Sequence, residues 1–207
     1  MAQQHSGSSG RQGELGGFAA QPQTDRLFFA VHPDAQAAQR IVELAQSVRA
    51  RHSLRGNPLR ADRVHVTLHH LGDHAGLPES LIAAARDAAA TLITPPFEAS
   101  FDCVASFAGR ARKRPCVLRG GKDDSNPALL ALQGALGDRL RVAGLGRYIE
   151  RRFTPHVTLL YDERTLAPES VFPIGWRVRE FALVHSLLGK NEHRVLGRWR
   201  LLDNADN

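Results

Sequence analysis

Cysteine is nearly absent: Cys103 and Cys116 are the only two in 207 residues, and neither belongs to a CxxC pair. That excludes a disulfide framework and a thiolate zinc site, and leaves two small side chains expected in the core. Lysine is scarce as well, 3 residues against 24 arginines. The cations are therefore mostly planar guanidinium groups, which suit bidentate contact with phosphate oxygens, although genomic base composition alone also produces such a bias. No apolar run approaches the roughly 20 residues needed to cross a bilayer, and the first residues lack the basic-then-apolar order of a secretory signal. The expectation is a cytoplasmic monomer with no membrane association and no obligate protein partner.

Hydrophobic residues make up 43% of the chain and the formal charge is +6, values of an ordinary globular domain with a basic surface. Residues 1–24, rich in Gly, Ser and Gln, have almost nothing to bury and read as a disordered tail; residues 25–207 read as the folded domain. "RLFFAV" is a buried strand, and "HPDAQAAQRIVELAQSVRA" a helix with Ala38, Ile41, Val42, Ala45 and Val48 on one stripe. "RVHVTLHHLG" alternates and is rich in β-branched residues, so it reads as a strand, followed by a helix in "PESLIAAARDAAATL". Strands in "FEASFDCVASFA" and "PCVLRG" precede a third helix, with Asn126 as N-cap, Pro127 at the first helical position, and Leu129, Leu132, Leu136 and Leu140 inward. "TPHVTLLY", "GWRVREFALVHSLL" and "RVLGRWRLL" are the closing strands. The basic run Arg110, Arg112, Lys113, Arg114 reads either as a solvated loop or as a wall against a nucleic-acid backbone.

The tetrapeptide HVTL occurs twice, 91 residues apart, each time in a strand-like setting. This order predicts an α+β fold of two pseudo-symmetric lobes. Each is a mainly antiparallel sheet with helices on its outer face, and a cleft lies between them. Strand alternation places His65 and Thr67 on one side, about 6.6–6.8 Å apart, with Val66 and Leu68 on the other. His156 and Thr158, against Val157 and Leu159, do the same. Two imidazoles across a cleft supply one base and one acid for phosphodiester cleavage, and two hydroxyls can hold the phosphoryl oxygens. Histidines satisfied by local hydrogen bonds are the plainer alternative. A metal site drawn from His65, His69, His70, Asp73 and His74 is disfavoured by the strand-like sequence and by the absence of a placed catalytic carboxylate.

Two H-hydrophobic-T-hydrophobic strands in one chain, together with "RLFFAVHPD", "HVTLHHLG", "RPCVLRG" and "FTPHVTL", resemble the 2H phosphoesterase superfamily. The similarity is to its bacterial branch of 2′-5′ RNA ligases and RNA 2′,3′-cyclic phosphodiesterases, over Arg26 to Leu202. The resemblance implies cleavage of RNA 2′,3′-cyclic phosphate ends, or small cyclic nucleotides, to 2′-phosphates without metal or cofactor, and weak reversible 2′-5′ joining. It gives His65 the leaving 3′ oxygen, His156 the water, and Thr67 and Thr158 the phosphate. Where relatives often carry an arginine two residues after the second HxTL, this chain has Tyr161. By alternation Tyr161 follows Leu159 into the core, unless it serves as a base-stacking or phosphate contact. Arg114, Arg152 and Arg164 are candidates to replace the arginine. His69 shares the face of His65 and Thr67, and Phe29 is the candidate nucleobase contact, since only one of Phe28 and Phe29 can face the cleft.

Overall fold

The computed structural model describes residues 24–109, 111–122, 125–150, 152–190 and 192–202. The expected tail, apart from Thr24, and Arg110 of the basic run lie outside the described residues. Eight strands form two four-stranded antiparallel sheets. The first has the order β2-β1-β7-β8, from β1 (Asp25–Val31), β2 (Val66–His74), β7 (Glu180–Leu187) and β8 (Glu192–Arg200). The second has the order β5-β4-β3-β6, from β3 (Phe97–Ser106), β4 (Arg114–Arg119), β5 (His156–Asp162) and β6 (Glu169–Val178). Each HVTL strand is thus the edge of its own sheet, and each is reached through a strand-helix connection. One is β1, α1 (Ala35–Arg51), β2; the other is β4, α3 (Pro127–Val142), β5. The lobes are not successive halves of the chain, however, because β7 and β8 return to complete the first sheet.

Helix α1 starts at Asp34, whose carboxylate accepts from the Ala37 amide at 2.8 Å and so satisfies one of the free first-turn donors. Asn126 stands at the expected N-cap of α3 but does not cap it. Its side chain instead accepts from the Ser100 amide at 2.9 Å and donates to the Ser100 carbonyl at 2.8 Å, tying the helix start to β3. Helix α2 (Glu79–Ala90) packs on α3, α1 reaches β5 and β6, and α3 reaches β2 and β3. Ile41, Leu81, Leu129, Leu68, Leu118 and Leu159 accordingly belong to one continuous buried core that spans both lobes. Cys103 and Cys116 are buried free thiols, and burial pushes Cys116 up to about 11. No helix among the described residues is long and apolar enough to cross a membrane.

Candidate active site

Both HVTL strands carry a bulge at the same place. In β2, Thr67 lies opposite Ala30 and His69 opposite Phe29, which leaves Leu68 as the extra residue. In β5, Thr158 lies opposite Val117 and Leu160 opposite Cys116, which leaves Leu159 extra. A bulge lets two successive side chains point the same way and reverses the alternation beyond it. Leu68 and His69 are both buried, as are Leu159 and Leu160. The next residues, His70 and Tyr161, therefore turn to the cleft beside the histidines and threonines.

This overturns three expectations. His69 does not line the pocket: it is fully buried, its Nε2 donates to the Gln133 carbonyl at 2.8 Å, and its ring packs against Gly137. Tyr161 is not in the core but 49% exposed at the cleft. Phe29 is a core residue tilted against Phe181 and Trp199, and Phe28, on the opposite face of β1, stacks on the His65 ring at 4.8 Å between centroids. The small side chains of Ala30 and Ala182 form a buried floor beside Phe28, leaving room for these rings.

A cavity of about 430 Å³ opens between the two edge strands, with His65, Thr67, His156, Thr158, His70 and Tyr161 in its walls. The Nδ1 of His65 is 2.7 Å from the Arg63 carbonyl, and that of His156 is 2.7 Å from the Thr154 carbonyl, each two residues upstream. A carbonyl can only accept, so both rings carry their hydrogen on Nδ1 and keep the lone pair on Nε2. Burial pushes His65 down to about 3, aided by the charges of His32, His193 and Arg63 around it. Burial also lowers His156. Burial thus favours the neutral form of both imidazoles.

The arginines of the cleft are not those singled out by sequence. Arg114, which opens β4, and Arg152, which is exposed, are not among the residues lining this cavity, and Arg164 lines a neighbouring one while donating to the His52 and Ser53 carbonyls. Arg26 and Arg63 line the cleft instead. Arg26 is committed to Asp73 by two 2.7 Å hydrogen bonds, which hold that carboxyl down at about 2. Arg63 differs: its Nε and Nη1 are buried and meet no partner among the described residues. Sequence offered one signal for it, its place two residues before the first histidine; it ends a short 3-10 turn (Ala61–Arg63) that leads to the edge strand. His193, from β8, stands edge-on to His65 at 5.5 Å and had no sequence signal, since β8 joins this sheet only through tertiary pairing. The remaining histidines of "HVTLHHLGDH" scatter: His70 pairs with Asp73 at 3.1 Å and His74 donates to the Leu71 carbonyl at 2.9 Å. Among the described residues no three His, Cys, Asp or Glu converge as metal ligands.

The model of the 2′-5′ RNA ligase superfamily matches residues 32–190, a span that contains both motifs. The chain belongs to this superfamily. As a 2′-5′ RNA ligase superfamily member it is 30% identical, over 183 residues, to the RNA 2′,3′-cyclic phosphodiesterase of Escherichia coli K12, covering 85% of this chain and 96% of that one. Its fold matches the crystal structure of E. coli LigT in apo form, with a TM-score of 0.66 and 28% identity over 88% of this chain and 100% of that chain. The LigT complex with 3′-AMP matches with a TM-score of 0.65 and 28% identity over 87% of this chain and 99% of that chain. The superfamily member is thus a phosphoesterase by family, and its two-sheet α+β architecture is the expected one.

Proposed function

We propose that this superfamily member hydrolyses RNA 2′,3′-cyclic phosphate ends to 2′-phosphates, with His65 and His156 as a general acid–base pair. The observation that supports it most is the arrangement of the cleft. Two imidazoles of the same tautomer present Nε2, two threonine hydroxyls stand beside them, and a partly buried guanidinium has unused donors. One ring takes a proton from water at Nε2 as the water oxygen attacks phosphorus; the P–O3′ bond breaks, and the other ring, having gained a solvent proton at Nε2 when the anionic phosphate binds, gives that proton to O3′. Thr67, Thr158 and Arg63 donate to the nonbridging oxygens as charge builds on them. An imidazole pair moves both protons itself, so the reading requires neither metal nor cofactor.

The resemblance gives His65 the leaving oxygen and His156 the water. His65 carries the heavier penalty against protonation, so in this allocation the anionic phosphate supplies the compensating charge when it binds. A 5′-hydroxyl in place of water, attacking with the same two proton transfers, forms a 2′-5′ linkage and accounts for weak ligation. The binding of 3′-AMP by LigT agrees with a nucleotide-sized cleft.

The decisive experiment offers a cyclic-phosphate RNA oligomer and a 2′,3′-cyclic mononucleotide to the purified protein in excess EDTA, and identifies the product by phosphorus NMR. A 2′-phosphate and a free 3′-hydroxyl are expected. A 3′-phosphate product, or activity lost in EDTA and restored by a divalent metal, would sink the proposal.

A further inference from the structure

We infer that the arginine-lined cavity beside the cleft holds the RNA strand on the 5′ side of the cyclic phosphate; this rests on the function proposed above. In β1, Phe28 and Ala30 share the cleft face, and His32 follows at the same alternation just beyond the strand. Ala30 pairs with Ala182, Ala182 with Arg198, Glu180 with Arg200 and Ser186 with His193, so β8 places Arg198 and Arg200 on the same face as His193. His32 joins the two ends, with its ring 6.1 Å from that of His65 and its side chain in the wall of a second cavity of about 740 Å³. The segment leading into β2 separates them, with Asp62 and Val64 toward the second cavity and Arg63 and His65 toward the first.

The second cavity is lined by Arg177, Arg179, Arg198 and Arg200. Its carboxylates are already engaged: Asp34 caps α1, Asp62 pairs with Arg60, and Glu180 pairs with Arg198. Arg177 is 3.5 Å from Glu98, whereas Arg179 and Arg200 have no ion pair among the described residues, and both are exposed. From His193 to Arg200 the strand rises roughly 23 Å, at about 3.3 Å per residue, which gives room for a few nucleotides. The exposed guanidinium groups of Arg179 and Arg200, in the wall of the second cavity, fit backbone phosphates of a strand that leaves the cleft across the segment at 62–64. Contacts to backbone phosphates carry no base information, so the track is indifferent to sequence.

The test compares wild type with the double variant Arg179→Ala/Arg200→Ala on a 2′,3′-cyclic mononucleotide and on a ten-residue RNA ending in a cyclic phosphate. The oligomer is expected to have the higher kcat/KM in wild type. The double variant is expected to lose about tenfold of that advantage through KM, with a salt dependence shallower by about 1.4 in logarithmic slope and mononucleotide hydrolysis unchanged. An equal advantage in both proteins overturns the inference. So does its loss on substituting Arg55, Lys113 and Arg164, which would mean that the strand leaves past Tyr161. If wild type turns over neither substrate, the phosphodiesterase reading has failed. Fluorescence anisotropy with a 2′-phosphate-ended oligomer then decides: about tenfold weaker binding by the double variant supports the track, and equal binding overturns it.

Discussion

The two edge strands are close to copies, and they differ where chemistry needs a difference. Each has a histidine whose Nδ1 is held by the carbonyl two residues back, a threonine two residues on, and a bulge at the following leucine. Their surroundings diverge. His65 is stacked on Phe28 and flanked by His193, His32 and Arg63, whereas His156 meets the edge of Phe107 at 4.7 Å. The bulge brings a histidine to the cleft in one lobe and a tyrosine in the other. Shared geometry sets the tautomer of both rings. Unshared neighbours set how readily each accepts a proton, and the proposed division into one acid and one base would draw on that difference.

The largest effect expected from breaking the pair is on turnover. His65→Ala and His156→Ala each lower kcat on a cyclic nucleotide by about 10²–10⁴-fold. On a 4-nitrophenyl phosphodiester, whose leaving group needs no proton, the variant lacking the acid regains most of its rate relative to wild type and the variant lacking the base does not. Equal recovery by both would remove the functional asymmetry.

A smaller effect is on stability. His65 sits at about 3 when folded and near its ordinary 6.5 when unfolded, so its contribution is present above pH 6.5 and is lost as pH falls towards 3. Urea midpoints at pH 7 and pH 5 will show His65→Gln losing less stability on acidification than wild type, by up to about 2 kcal/mol. An identical pH dependence in the two proteins would show that the neutral ring is not held by the fold. The smallest effect tests the bulge-directed pair. His70→Tyr makes the lobes alike at that position and should change KM by a few-fold with kcat held, as steady-state kinetics would show; a collapse in kcat would instead mark His70 as part of the chemistry.

Periodicity determined most strands and the helices, the inward leucines of α3, and the pairing of His65 with Thr67 and His156 with Thr158, because these depend on backbone geometry within a few residues; "GWRVREFALVHSLL", read as one strand, instead divides at Arg179 into the end of β6 and the whole of β7, which lie in different sheets. It failed just past each threonine. A bulge is a mismatch between two strands, decided by what β1 and β4 place opposite, so nothing inside "HVTLHHLG" or "HVTLLYDE" reveals that His69 turns inward and Tyr161 outward. For the same reason Arg63 was missed, since a free guanidinium is defined by the partners it lacks in three dimensions. Only the tertiary structure could bring β7 and β8 back to the first sheet, set His193 beside His65, and gather Arg179 and Arg200 in the wall of the neighbouring cavity. Such long-range pairing is settled by the shared core of both lobes rather than by any local stretch of chain.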